Sequence, residues 1–135
     1  MNRKIKFRAW DKDRNEMFDV QAIYFQQDKI IVSMPVKIKG FEQLCVEKTN
    51  VELMQYTGLK DKNGKKIYEG DIVKYKDFSN GAYLFREQPL TKDVVTWNKD
   101  TCGYKVKHMG LTFKAETYEI IGNIYENPEL LEVVE

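Results

Sequence analysis

The chain is predicted to be mainly β, with an N-terminal β-hairpin layer, a small barrel and a short C-terminal helix. Three observations carry this. Apolar and polar residues alternate with period two in several short runs, which is the pattern of half-buried strands. Aromatic residues make up 13% of the chain, with eight Tyr and seven Phe, and such side chains fit the pleated faces of sheets. The span from Leu53 to Val73 sets three glycines, Gly58, Gly64 and Gly70, among strand-like runs. That block reads as the geometric centre of the fold.

The first strand is plain: Ile5, Phe7 and Ala9 point one way and Lys6, Arg8 and Trp10 the other. Asp11-Lys12-Asp13-Arg14-Asn15 supplies turn chemistry, because short side chains there accept local backbone hydrogen bonds and tolerate left-handed geometry. Met17 to Phe25 should pair back as a hairpin, and Lys29 to Met34 brings β-branched Ile30, Ile31 and Val32. Pro35 marks a strand end or an edge, since it cannot donate a ladder hydrogen bond. Val36 to Lys39 alternates again before Gly40. In residues 41–50, Phe41, Leu44 and Cys45 sit at helical spacing, so a loop or a short helix is expected.

Val51 to Thr57 reads as a strand ending at Gly58. Asp61-Lys62-Asn63-Gly64 is the strongest hairpin signal, since Asn-Gly suits a turn with positive φ at both central positions. Lys66 to Tyr68 follows, and Glu69-Gly70-Asp71 reverses the chain into Ile72 to Tyr75. Residues 76–92 lack periodicity and read as a long loop. Val94 to Trp97 is expected as a buried strand, with Tyr104 to Lys107 its partner across the turn Asn98–Gly103. Tyr118 to Tyr125 is a last strand, and Gly122 inside it suggests a bulge. Asn127-Pro128-Glu129 then gives a helix start, with Asn as N-cap and Pro in the first turn. Without a Pro/Gly/Ser-rich linker, residues 1–135 are taken as one domain, with a β layer over 1–50 and the barrel portion over 51–135.

Composition excludes several function classes. No apolar run is long enough to span a membrane, and the basic start, Arg3, Lys4, Lys6 and Arg8, lacks the apolar stretch of a signal peptide. A cytoplasmic location is expected, with Cys45 and Cys102 as free thiols, at least one of them buried. The net charge of +1 gives no whole-protein reason to expect nucleic acid. Its distribution is uneven: after Lys114 there is no Lys or Arg, while six Glu follow. Opposed charge on the two ends fits compensation within the chain or self-association.

No catalytic constellation is legible. With His108 as the lone histidine, a multi-His metal site is excluded, and no metal or cofactor is expected. Ser33 and Ser79 sit in no nucleophile elbow, and no phosphate-cradling glycine loop occurs. Asp61 to Gly64 lacks the alternating oxygen ligands of a calcium loop. Glu69 and Asp71 flank Gly70 and are read as turn acceptors. Lys74, Tyr75, Lys76, Phe78 and Tyr83 interleave cations and aromatics, as do Tyr104, Lys105, Lys107 and Lys114, so base stacking on a small barrel stays open.

Three blocks carry a family resemblance: Ile5-Lys6-Phe7-Arg8-Ala9-Trp10-Asp11; the run from Leu53 through Gly64 to Val73; and Tyr118 through Asn127-Pro128-Glu129-Leu130. In this order they closely resemble the YopX family of phage and prophage proteins. The resemblance implies a phage-derived cytoplasmic protein whose β fold contains an SH3-like barrel, and it implies no catalytic residues. The chain is therefore expected to be a non-enzymatic binding or protein-interaction module in a bacterial host cell, partnered by another protein or by its own copies. The alternative is a single-stranded nucleic-acid-binding barrel, and the third reading an enzyme with a carboxylate site around Asp61, Glu69 and Asp71. Candidate binding residues are Tyr56, Thr57, Asp61, Tyr68, Glu69, Asp71 and Tyr75; structural turns are assigned to Gly58, Asn63, Gly64, Gly70 and Gly122.

Overall fold

A computed structural model describes residues 4–36, 40–76, 90–106, 109–110 and 117–132. The chain forms two compact units, Met1–Tyr56 and Thr57–Glu135. It is mainly β, and among the described residues its sheets are not closed into a barrel.

The first unit is an antiparallel meander. Strands β1 (Phe7–Asp11), β2 (Glu16–Tyr24), β3 (Lys29–Val36), β4 (Gly40–Glu47) and β5 (Val51–Lys60) lie in the order β4-β3-β2-β1-β5. Alternation places Ala9, Phe18, Ile30, Val32, Val46 and Val51 in one core, and each large aliphatic buried there contributes about 2 kcal/mol. The turn after β1 forms as expected. Asp11 Oδ1 accepts the amides of Asp13 (2.9 Å) and Arg14 (3.1 Å), its Oδ2 accepts the Arg14 guanidinium (2.9 Å), and Asn15 takes the left-handed φ of 54°.

Two expectations for this unit need correction. Residues 41–50 form neither a loop nor an α-helix: β4 pairs with β3 along its length, from Lys29 opposite Glu47 to Val36 opposite Gly40. A single 3-10 turn, Lys48–Asn50, follows. The helical spacing of Phe41, Leu44 and Cys45 is overridden by this pairing, in which half-buried Leu44 and buried Val46 follow period two. Pro35 lies one residue before the end of β3, opposite Phe41. Residues 37–39 lie outside the described residues. Cys45 and Cys102 are both exposed free thiols, so neither is the buried one expected.

The second unit uses shorter strands. The second half of β5 is joined by β6 (Lys66–Tyr68). Strands β7 (Asp71–Lys76), β8 (Leu90–Val94) and β12 (Glu119–Asn123) form a sheet in the order β12-β7-β8. Strands β9 (Thr96–Asn98), β10 (Gly103–Val106) and β11 (Met109–Gly110) form another. Ile67, Val73, Tyr75, Val95, Val106 and Tyr118 make the core, where the Tyr75 and Tyr118 rings lie 4.8 Å apart. The expected strand at Val94–Trp97 is two strands broken at buried Val95, and Trp97 is half exposed against the edge of Tyr104. Most of the loop expected over 76–92, residues 77–89, lies outside the described residues, as do His108, Phe78, Ser79, Tyr83, Lys107 and Lys114.

The turn assignments divide. Gly70 (φ 83°) turns the chain into β7 as expected. Gly58 ends nothing, because β5 continues through it to Lys60. At Asn63-Gly64 only Gly64 has positive φ (78°). The reason is Asp61: its Oδ1 accepts the Asn63 and Lys65 amides, both at 2.9 Å, and this draws in the backbone ahead of Gly64. Gly64 N then donates to Asp61 O, and Asp61 N to Lys65 O, a hairpin of the turn-plus-glycine-bulge kind. Gly122 sits at the expected bulge, where Ile120 faces Val73 and Gly122 faces Ile72. A Cβ there would lie 2.5 Å from Asn127 Oδ1, so the strand and the Asn127 side chain approach as only glycine permits. The expected C-terminal helix is one 3-10 turn, Pro128–Leu131. Asn127 does not cap it, since its Oδ1 accepts the Asn123 amide instead (3.2 Å).

Candidate functional site

The carboxylates proposed from sequence as binding groups are occupied inside the scaffold. Asp61 is buried, and besides its two loop amides its Oδ2 accepts the amide of Ile120 (3.0 Å), 59 residues away. Burial alone would raise its carboxyl pKa; the hydrogen bonds from Ile120, Lys65 and Asn63 outweigh it and hold Asp61 below the ordinary carboxylate range. Asp71 is buried and accepts the Tyr68 amide at 2.8 Å, spanning the Glu69-Gly70 corner. Thr57 donates its hydroxyl to the Ile67 carbonyl (2.8 Å) and accepts the Leu59 amide (3.2 Å). Tyr56, Tyr68 and Tyr75 are buried. Glu69 is half-buried at the corner.

A cavity of about 400 Å³ opens within the second unit, a size that suits a small ligand or a few side chains. Of the candidate binding residues only Tyr75 lines it, with Lys74 and Lys76 from the same cation–aromatic run; the remaining walls are Lys62, Leu90, Thr117 and Glu119. The register of the β12-β7-β8 sheet brings together Lys74, Lys76, Leu90 and Glu119, while Tyr75 alternates toward the core. Glu119 pairs with Lys74, Lys74 with Lys92, and Lys76 with Leu90, and residues directly opposite share a face. Lys74 and Lys76, two apart on β7, therefore stand on the same side.

Lys62 arrives from the 61–65 hairpin. Two bonds tie that hairpin to the start of β12: Asp61 Oδ2 to the Ile120 amide, and the Lys62 amide to the Tyr118 carbonyl (2.9 Å). They set the Lys62 ammonium 2.8 Å from Glu119, with Lys74 3.7 Å away on the other oxygen. The hydrogen bond from Lys62, helped by the charges of Lys62 and Lys74, lowers the Glu119 pKa. One carboxylate thus serves two lysines. Lys76 and Lys92 are exposed and make no ion pair among the described residues.

Sequence reasoning did not single out Lys62, Leu90, Thr117 or Glu119 for this cavity wall, because the strand pairing and hairpin anchoring that gather them are non-local. The period-two pair Lys74 and Lys76 was the legible signal. Among the described residues no His/Cys/Asp/Glu group could hold a metal ion, and no helix is long and apolar enough to cross a membrane.

The YopX protein family matches residues 6–132, nearly the whole chain. The chain belongs to the YopX family. Two solved structures share the fold. Protein EF1440 from Enterococcus faecalis is 27% identical, with a TM-score of 0.66, over 97% of this chain and 100% of its own. Protein yopX from Bacillus subtilis is 23% identical, with a TM-score of 0.56, over 94% of this chain and 98% of its own. Neither neighbour has an established function, and no curated protein matches the chain. Two of the three blocks that carry the resemblance hold the hubs above: the middle block has Thr57, Asp61 and Asp71, and the last has Ile120 and Asn127.

Proposed function

We propose that this YopX-family chain is a non-enzymatic binding module that engages a protein partner, its own copies included, through the lysine-rich face of its second unit. The supporting observation is the division of charged groups. Asp61 and Asp71 are buried and bonded to backbone amides, whereas the cavity wall offers Lys62, Lys74 and Lys76 beside exposed Leu90. General acid–base work needs a carboxyl within reach of a substrate; an amide-bound carboxylate in a turn is not so placed, and Glu119 in the cavity wall is engaged by Lys62 and Lys74. A cationic rim around an apolar wall suits an acidic partner with an apolar anchor.

The family resemblance supports phage or prophage descent and a place in the cytoplasm of a bacterial host. An SH3-like arrangement of the short strands in the second unit belongs to the same proposal. Single-stranded nucleic acid is the second reading, favoured by the same lysines. Against it, Tyr75 is buried against Tyr118 and offers no platform for a base.

Affinity capture from lysogenic host cells, with wild type and K76E/K92E as parallel baits, tests the proposal. A defined protein set retained by wild type and lost by the variant is the expected result. Equal capture by both baits, or recovery of nucleic acid alone, counts against it.

A further inference from the structure

The cavity face carries an uncompensated charge. Among the described residues, Lys62, Lys74, Lys76 and Lys92 share this side with one carboxylate, Glu119, while Asp71 and Asp93 of the paired strands fall on the alternate positions, so cations outnumber carboxylates there. Lys74 and Lys92 stand directly opposite each other on β7 and β8. Like charges in that position destabilise a sheet, so the arrangement works against the fold's own stability. An anionic occupant would remove the penalty. Leu90, 61% exposed on the same face, adds an apolar wall.

The complementary chemistry lies on the same chain. The segment Glu126–Glu132 holds Glu126, Glu129 and Glu132 and no Lys or Arg. Glu129 and Glu132 are exposed, as is Leu131 between them. Glu129 and Glu132 offer exposed carboxylates to the lysine-rich face, and Leu131 matches the apolar wall. The segment is held away from its own cavity. Its root is fixed at the far end of β12, where Asn123 Nδ2 donates to Glu126 Oε1 (3.0 Å) and Asn127 Oδ1 accepts the Asn123 amide. Asn123 pairs with Asp71, while the cavity lies at the Lys74–Lys76 end of β7, about 10 Å further along the strand.

We propose, building on the protein-binding reading above, that the cavity face takes the acidic segment Glu126–Glu132 of a second copy of the chain. Reciprocal docking gives a two-fold dimer in which each copy supplies one cavity and one segment.

Sedimentation velocity over a range of concentrations and salt tests this. Wild type should associate reversibly, and more weakly as salt rises. K76E/K92E should weaken association by about tenfold or more while its thermal midpoint holds or rises, because Lys92→Glu turns the repulsion with Lys74 into attraction. A variant that merely damaged the fold would lower both. E129K/E132K should also fail alone, and mixing it with K76E/K92E should restore a heterodimer. A wild type that stays monomeric, or a dimer indifferent to K76E/K92E, overturns the proposal. A labelled peptide of residues 123–135 and a single-stranded oligothymidylate then separate the causes. Peptide bound by a monomeric chain overturns the second-copy occupant and keeps the protein-binding reading. Oligothymidylate bound alone overturns both; neither probe bound overturns the second-copy occupant, and the capture experiment decides the protein-binding reading.

Discussion

In the first unit the strands run from five to ten residues and follow one another as neighbours through β4-β3-β2-β1, with β5 closing on β1. In the second unit they run from two to six residues, and non-consecutive strands meet, β7 with β12. Long hairpins satisfy most backbone groups by ladder bonds, with Asp11 as the side-chain acceptor at one turn, and their core is aliphatic apart from Phe18. Short strands leave more chain in corners, where buried N–H groups still need acceptors. The second unit supplies them from side chains: Asp61, Asp71, Thr57, Asn123 and Asn127. The comparison teaches where the site comes from. A ladder leaves a uniform face, whereas a side-chain hub can fasten a hairpin at a chosen place. The Asp61 hub is what brings Lys62 to Glu119.

The largest effect should come from breaking that hub. Asp61→Ala leaves the part-buried amides of Asn63, Lys65 and Ile120 without their acceptor, and an unmet donor costs about 1–3 kcal/mol when water cannot reach it. We expect a loss of about 4 kcal/mol by urea unfolding. Amide exchange should accelerate first at 61–65 and 118–120. The matched change in the first unit, Asp11→Ala, removes bonds confined to one turn and should cost only about 1–2 kcal/mol. Equal costs would erase the distinction between the units.

Ile30→Ala is the converse probe. Ile30 is fully buried in the aliphatic core of the first unit, and the deletion should cost about 3 kcal/mol. Exchange should quicken across β2, β3 and β4 while the 61–65 amides stay protected. If both regions lose protection together, the two units unfold as one body.

Gly122→Ala ranks next. The new Cβ would sit within 3 Å of three Asn127 side-chain atoms, and displacing that side chain also frees the Asn123 amide. About 2 kcal/mol is expected. The double variant G122A/N127A should cost less than the two single changes added together, since the clash and the bond share one side chain. Strict additivity would show that Asn127 moves aside freely.

What could be read from the sequence follows the same division. Strands of the first unit announce themselves by alternation, as in Ile30-Ile31-Val32, because each pairs with a neighbour in the chain. Residues 41–50 escaped notice because β4 borrows its conformation from β3, and its own apolar spacing points to a helix. In the second unit Gly70 and the Gly122 bulge were legible as local backbone needs. The role of Asp61 was not: its partner at Ile120 lies 59 residues away, and nothing near Asp61 encodes it. The same blindness hid Lys62, Leu90 and Glu119 as neighbours in the cavity wall: cross-strand pairing brings Glu119 to Lys74 and Leu90 to Lys76, and the Asp61 hub brings in Lys62. Tyr75 was the exception, since it lies between the two lysines whose alternation was visible.

The smallest effect is a difference in acid response between the units. Both Asp11 and Asp61 have pKa values held below the ordinary range, against burial, by hydrogen bonds to the charged form. A carboxyl with a depressed folded pKa contributes stability fully above its unfolded pKa of about 4, and that contribution fades as pH falls through the folded value. Acid should therefore weaken both units, each through its own aspartate. Asp61→Asn keeps one carbonyl acceptor and removes the charge, so it should lower stability at neutral pH and flatten the acid limb for the amides of 61–65 and 118–120. The amides of Asp13 and Arg14 should keep the wild-type profile in that variant, and Asp11→Asn should do the reverse. Glu119 is lowered by an exposed lysine pair, a kind of contact that adds little to stability, so Glu119→Gln should leave both limbs nearly unchanged. If Glu119→Gln flattened the curve as much as Asp61→Asn, the acid response would belong to the lysine face rather than to the scaffold hub.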